Sequence, residues 1–187
     1  MYLQKDQLRD CRVGLYILSV NGKAMKTETE KILDRLLLKD LYLVWEHVRS
    51  GELKGLDELD QQLAGIMLEH KDAYFEGFEN PSAQTLEECG PENDTDPYMH
   101  VIFHTVIEHQ LQTGDVSQIE PFYESMRQLE IPRHDIMHLI GCFLSELLYE
   151  VIVEDQPFDQ QRYETLLRRY IDQSPEKVLE GMENGFE

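Results

Sequence analysis

The chain has 187 residues, 41% of them apolar, and a formal net charge of −20. That apolar share supplies a packed core and excludes a disordered chain, and the length suits one domain with small additions. A surface this negative repels phosphate backbones and anionic lipid, which argues against nucleic acid and membranes as partners, although the same charge also serves plain solubility.

The N-terminal stretch "MYLQKDQLRDCRVG" mixes both signs of charge and lacks the apolar region of a signal peptide. No run approaches about 18 consecutive apolar residues, so no membrane span is expected. Three cysteines, Cys11, Cys89 and Cys142, lie far apart and form no CxxC pair. A disulfide framework is not expected, and a reducing cytoplasm fits best.

Strand-like alternation is absent, and Leu, Glu, Gln and Lys dominate, so nearly every segment reads as helix. A first helix is predicted over about residues 3–19. A second opens at a capping box, Thr27 with Glu30, and runs to Gly51 with an apolar stripe of Leu38, Leu41, Trp45 and Val48. A third covers about 57–78. Residues 79–96, "ENPSAQTLEECGPENDTD", form the one long loop, a length that in compact domains often marks function or mobility. Asp96 and Pro97 then supply an N-cap and a first-turn proline for a helix that stops near Gly114. Ser117 and Glu120 read as another capping box for a short helix to about Glu130. Pro132 starts a long helix to about Glu154, and "PFDQQRYETLLRRYIDQ" makes one more. The acidic tail "SPEKVLEGMENGFE" is expected to fray. The expectation is an all-α antiparallel bundle of six to seven helices with a four-helix core. It divides into an N-terminal extension (1–34), a histidine-rich domain (35–171) and a C-terminal tail (172–187).

The segment "PYMHVIFHTVIEHQ" carries His100, His104 and Glu108 at spacings of four, and "HDIMHLIGCFLSE" repeats the first half of that pattern with His134 and His138. Residues four apart lie about 40° apart around a helix, so each histidine pair falls inside the apolar stripe of its helix. Small residues, Gly141 and Ser145, follow His138 on the same line and leave room for a neighbour or a metal; close helix packing would also explain them. His70 is centred among Leu59, Leu63, Ile66, Met67 and Tyr74, whereas His47 and His109 point away from their stripes. Five of the seven histidines are therefore expected to face the core. With sequential helices antiparallel, His70 sits at the end of its helix where His100, His104, His134 and His138 begin theirs, so all five converge at one level.

Neutral imidazoles in an apolar interior lose hydrogen bonds, and charged ones repel one another. A divalent cation relieves both costs by taking the nitrogen lone pairs. The expected metal ligands are His70, His100, His104, His134, His138, Glu108 and Glu146, with Glu69 or Glu150 in support and Tyr74 near enough to bond the metal or a ligand. Imidazole-rich sites suit a divalent transition metal, Fe or Zn first, with Mn, Ni or Cu as further candidates. Five histidines exceed what one tetrahedral zinc uses, which allows a two-metal centre. The match to di-iron bundles is loose, because their Glu-x-x-His signature is absent.

The segments "LVWEHVRSGELKGLDELDQQLAGIMLEHKDAY", "DPYMHVIFHTVIEHQL" and "HDIMHLIGCFLSELLYE" resemble a bacterial family called domain of unknown function eighteen-forty-one, over about residues 38–171. The paired HxxxH motifs and the proline before the first carry the likeness. The resemblance implies that His70, His100, His104, Glu108, His134, His138 and Glu146 match family positions. It also implies a carboxylate where Cys142 stands and a second histidine where Tyr74 stands. It implies a fold and a site, not a reaction.

Two functions follow. One is a metal-binding bundle with a non-haem iron pair or a zinc centre in redox or hydrolytic chemistry. There the loop 79–96 would close over the site, Cys89 would offer a redox-sensitive thiol, and Glu108 or Glu146 would act as general base. The other is a non-enzymatic acidic interaction module with a buried histidine network. A metal ion is the expected partner, a homodimer is compatible with the sequence, and nothing identifies a protein partner. No phosphate loop, dinucleotide fingerprint or Ser/His/Asp order appears.

Overall fold

The computed structural model describes residues 26–37, 39–80, 96–153 and 156–186. The helix expected at about 3–19, the loop segment 81–95, Cys11 and Cys89 lie outside the described residues. Among the described residues the chain is all helical, with nine helices and no strand. Six of the expected helices fall among these residues, and they become nine because two of them break and the tail adds one.

The capping box at Thr27 closes in both directions. Glu30 N–H donates to Thr27 Oγ1 at 3.2 Å and Thr27 N–H to Glu30 Oε2 at 2.7 Å, which starts α1 (Glu28–Leu37). That helix does not continue to Gly51. Asp40 takes an extended conformation (φ −74, ψ 91), and its carboxylate accepts Tyr42 N–H, capping a separate α2 (Leu41–Ser50). An aspartate in mid-pattern competes for the backbone in this way. Its neighbour Lys39 reaches Asp60 on α3 (Glu58–Glu69), which holds the corner. Gly51 then ends α2 in the left-handed region, φ 73, as its position predicts.

The third predicted helix also divides, at His70. This residue leaves helical geometry (φ −99, ψ 2) between α3 and α4 (Lys71–Glu79), and Tyr74 adds a second irregular position (φ −120, ψ 15). The cause is local. Ile66 C=O accepts both the His70 backbone N–H, at 3.1 Å, and the His70 ring Nδ1–H, at 2.8 Å. Such back-bonding bends helices. α4 folds onto α2 through Trp45, whose indole lies 4.9 Å from the Phe78 ring and donates to Glu79 at 2.7 Å. Tyr98 O–H donates to Phe78 C=O at 2.8 Å, tying α4 to the first turn of α5 (Pro97–Thr113).

Asp96 caps α5 through Tyr98 N–H, Pro97 occupies its first turn, and Gly114 ends it with φ 68. The capping box expected at Ser117 does not form. The Ser117 hydroxyl donates instead to Glu164 at 2.8 Å, and α6 (Ile119–Gln128) starts at Gln118 without a side-chain cap. α7 (Arg133–Val153) and α8 (Gln160–Tyr170, capped by Asp159) follow as predicted. The tail does not fray. It forms α9 (Pro175–Glu183), which packs on α7, with Val178 fully buried and the Phe186 ring 4.9 Å from Phe143. Two well-placed apolar side chains outweigh the acidic composition there.

α5 is the hub: α1, α3, α4, α6 and α7 all pack against it. Its far end carries a buried polar relay. Gln110 donates to Thr29 Oγ1 at 2.9 Å and accepts from Tyr163 O–H at 3.1 Å, joining α1, α5 and α8. Replacing Tyr163 with Phe keeps the ring and removes one donor. The expected loss is about 1–2 kcal/mol in urea unfolding with an unchanged denaturant slope; an unchanged midpoint would mean the relay contributes nothing to stability.

Candidate metal centre

The corner at the end of α3 sets the first imidazole. A carbonyl only accepts, so the contact with Ile66 C=O puts the His70 proton on Nδ1 and leaves the Nε2 lone pair free to face inward. That Nε2 stands 3.0 Å from His134 Nε2. A ring oriented by a backbone carbonyl through its other nitrogen is how metal-ligating histidines are commonly held.

The first two turns of α5 supply the next pair. The His100 and His104 rings lie 4.5 Å apart and nearly parallel, and each lies 4.7 Å from the His70 ring. The first two turns of α7 bring His134 and His138, with ring centres 4.2 Å apart. His134 lies 5.0 Å from His104, and His138 lies 5.0 Å from His100. All five predicted histidines therefore meet at one end of the bundle, as the ordering of helix ends requires. Among the described residues, one donor nitrogen from each of His70, His100, His104 and His134 lies within 4.8 Å of the other three. Four nitrogens bound tetrahedrally to one ion at about 2.1 Å stand about 3.4 Å apart, so closure on an ion draws the more distant of these rings together by up to about 1.4 Å. His138 adjoins this quartet without belonging to it.

The expectation that all five face the core needs correction. His70, His100 and His104 are buried, at 8%, 6% and 5% exposure, but His134 and His138 are exposed. The reason is the start of α7: residues 132–135 all lie at the surface, so the first α7 rings reach the cluster from its rim. The site has a buried floor of three imidazoles and an open side lined by two.

The carboxylates sit elsewhere. Glu108 pairs with Arg133 through Oε2 and accepts from Gln112 at Oε1, 3.3 Å away. Glu146 lies 3.7 Å from Arg162, which also pairs with Glu150. Neither Glu108 nor Glu146 is in the quartet, and Glu69 is exposed. No pattern in the sequence signals these arginine pairings, because each joins residues from different helices or from beyond a helix end. Tyr74 O–H lies 3.4 Å from His100 Nδ1, so the kink in α4 delivers a hydroxyl to a buried ring. Cys142 is half-buried, and burial pushes its thiol up from the ordinary value. A Cβ on Gly141 would meet nothing within 4 Å, so close packing does not explain that glycine.

His100 Nε2 and His104 Nε2 are buried and have no hydrogen-bond partner. Burial pushes His100 down to about 3 and His104 down to about 2, helped by the neighbouring imidazoles. His134 is lowered in the same way, by burial first and by His70 next. His100 and His104 are thus neutral donors with lone pairs to offer at neutral pH.

These lowered values fix the sign of a pH effect. An unfolded histidine takes a proton near 6.5, whereas folded His100 and His104 do not until about 3 and 2. The unfolded chain binds more protons between those limits, so stability is full above about pH 6.5 and falls as pH drops. In chelator, thermal melting from pH 7.5 to 5 should fall steeply, by on the order of 2 kcal/mol per buried ring. His104→Leu should make the slope shallower, and an equal slope in both proteins would contradict the burial of a neutral His104.

Among curated proteins and among solved structures, nothing matches the chain. A family model does match, over residues 35–169, and that span holds all five clustered histidines, Glu108, Arg133 and Glu146. The chain belongs to the family described as Domain of unknown function (DUF1841).

Proposed function

We propose that the protein binds a divalent transition metal ion at the histidine cluster, with His70, His100, His104 and His134 as ligands. The observation that carries this is the pair of buried, partnerless Nε2 atoms on His100 and His104 within a group of four imidazoles. An orphaned polar atom in an interior costs about 1–3 kcal/mol, and a site would not keep two without a ligand to satisfy them. A cation accepts both lone pairs at once. The donor set is compatible with the chemistry, since neutral imidazole is the commonest metal ligand.

Of the two metals expected first, the set favours zinc. A di-iron centre in a helical bundle draws on several carboxylates, and here Glu108 and Glu146 are paired with arginines. We propose a single ion, with His138 at the open rim beside it. A bound cation on an open rim would acidify water for hydrolytic chemistry. No side chain here is assigned as general base. A reducing cytoplasm remains the proposed compartment, on the scattered cysteines; no helix of the described residues is long and apolar enough to cross a membrane.

A second reading has one observation in its favour. The 3.0 Å contact between His70 Nε2 and His134 Nε2 is a hydrogen bond that a metal-free histidine network would use. It leaves His100 and His104 unsatisfied, which is why the metal reading is preferred.

Untagged, chelator-stripped protein separates the two. Zinc at about 100 times its Kd should stabilise the fold by about 2.7 kcal/mol, and Fe, Mn, Ni and Cu should be compared in the same assay. His104→Ala should abolish most of that gain, while His47→Ala and His109→Ala should retain it. No stabilisation by any of these metals would favour the interaction module.

A further inference from the structure

We propose that Arg133 sets the metal selectivity of the cluster by holding Glu108 out of it. This rests on the metal-binding reading above. Glu108 stands one helical turn beyond His104 on α5, and side chains at that spacing are neighbours. That spacing makes His104 the floor ring nearest to it along the helix. Both carboxylate oxygens are nevertheless engaged elsewhere: Oε2 with the Arg133 guanidinium, Oε1 with the Gln112 amide. Arg133 directly precedes His134, so the residue that restrains the carboxylate is fixed in register with the imidazole that closes the quartet.

The consequence is chemical. With Glu108 restrained, the donors are neutral nitrogens, which suit zinc, copper and nickel. With Glu108 released, a hard anionic oxygen joins them, and manganese and ferrous iron gain most from that change. The pair is half-exposed on the Arg133 side, 50%, and 24% on the Glu108 side. Ion pairs so placed are weak, so Arg133 biases the donor set and does not lock it. A modest, measurable shift in preference is the expected size of effect.

The test is competitive loading of untagged protein with zinc and manganese, read as the ratio of the two dissociation constants. In Arg133→Gln the ratio should move toward manganese by about fivefold, the effect of one weak ion pair. Adding Glu108→Gln to that variant should return the ratio to the wild-type value, because the released carboxylate is what manganese gains. Arg133→Lys, which keeps a cation next to Glu108, should stay near wild type. The proposal is overturned if Arg133→Gln binds zinc normally with an unmoved ratio. It is equally overturned if the shift survives Glu108→Gln, which would make it a general effect of charge. Wild-type protein that binds neither metal would remove the metal-binding reading itself, and this proposal with it. Arg133 is exposed at the start of α7, and a circular dichroism spectrum identifies any variant that fails to fold.

Discussion

Two ring nitrogens with nothing to bond, on His100 and His104 in the interior, are the constraint around which the rest of this molecule makes sense. Most apolar cores avoid such atoms altogether. Here they occur beside three more imidazoles, in a chain whose carboxylates outnumber its cations by 37 to 17. Acidic groups to pair with those rings are plentiful, yet Glu108 and Glu146 pair with Arg133 and Arg162 instead. The interior end of the bundle is therefore a neutral, electron-rich pocket inside a strongly negative protein. Desolvation keeps the His100 and His104 rings unprotonated, the state in which an imidazole can ligate a metal.

The fold serves that pocket through its irregularities. An unbroken helix through residue 70 would have placed His70 on a smooth face; the doubled bond to Ile66 C=O turns the chain and aims Nε2 inward. Trp45 and Tyr98 then anchor the kinked α4 from two sides, which brings Tyr74 to His100. The buried relay around Gln110 secures the opposite half of α5. The same hub helix thus carries structural polar contacts at one end and donor atoms at the other.

Much of this was legible in the chain. Periodicity separates His100, His104, His134 and His138 from His47 and His109, and the order of helix ends brings the right five together. Thr27, Asp96, Gly51 and Gly114 act as the local chemistry of caps and stops requires. The breaks at Asp40 and His70 were not legible, since each goes with a side chain bonding a nearby backbone group, which periodicity does not register. Exposure of His134 and His138 was missed because a helical wheel has no axial coordinate: both rings lie on the correct stripe, at a helix end that reaches the surface. Glu108 also sits at the proper spacing, but its partner Arg133 comes from another helix, and charge pairing across helices leaves no trace in one sequence. The tail misled through its composition, where the positions of Val178 and Phe186 mattered more.

Metal centres in helical bundles commonly combine histidine with carboxylate. We propose that the cluster described here holds a cation with imidazoles alone, three from the floor and one from the rim. X-ray absorption spectroscopy at the zinc edge of stoichiometrically loaded protein tests that most directly. The expected spectrum has a nitrogen shell at about 2.0–2.1 Å with the multiple-scattering pattern of several imidazoles. A shell dominated by carboxylate oxygen or by sulfur, or zinc held without imidazole scattering, would contradict it.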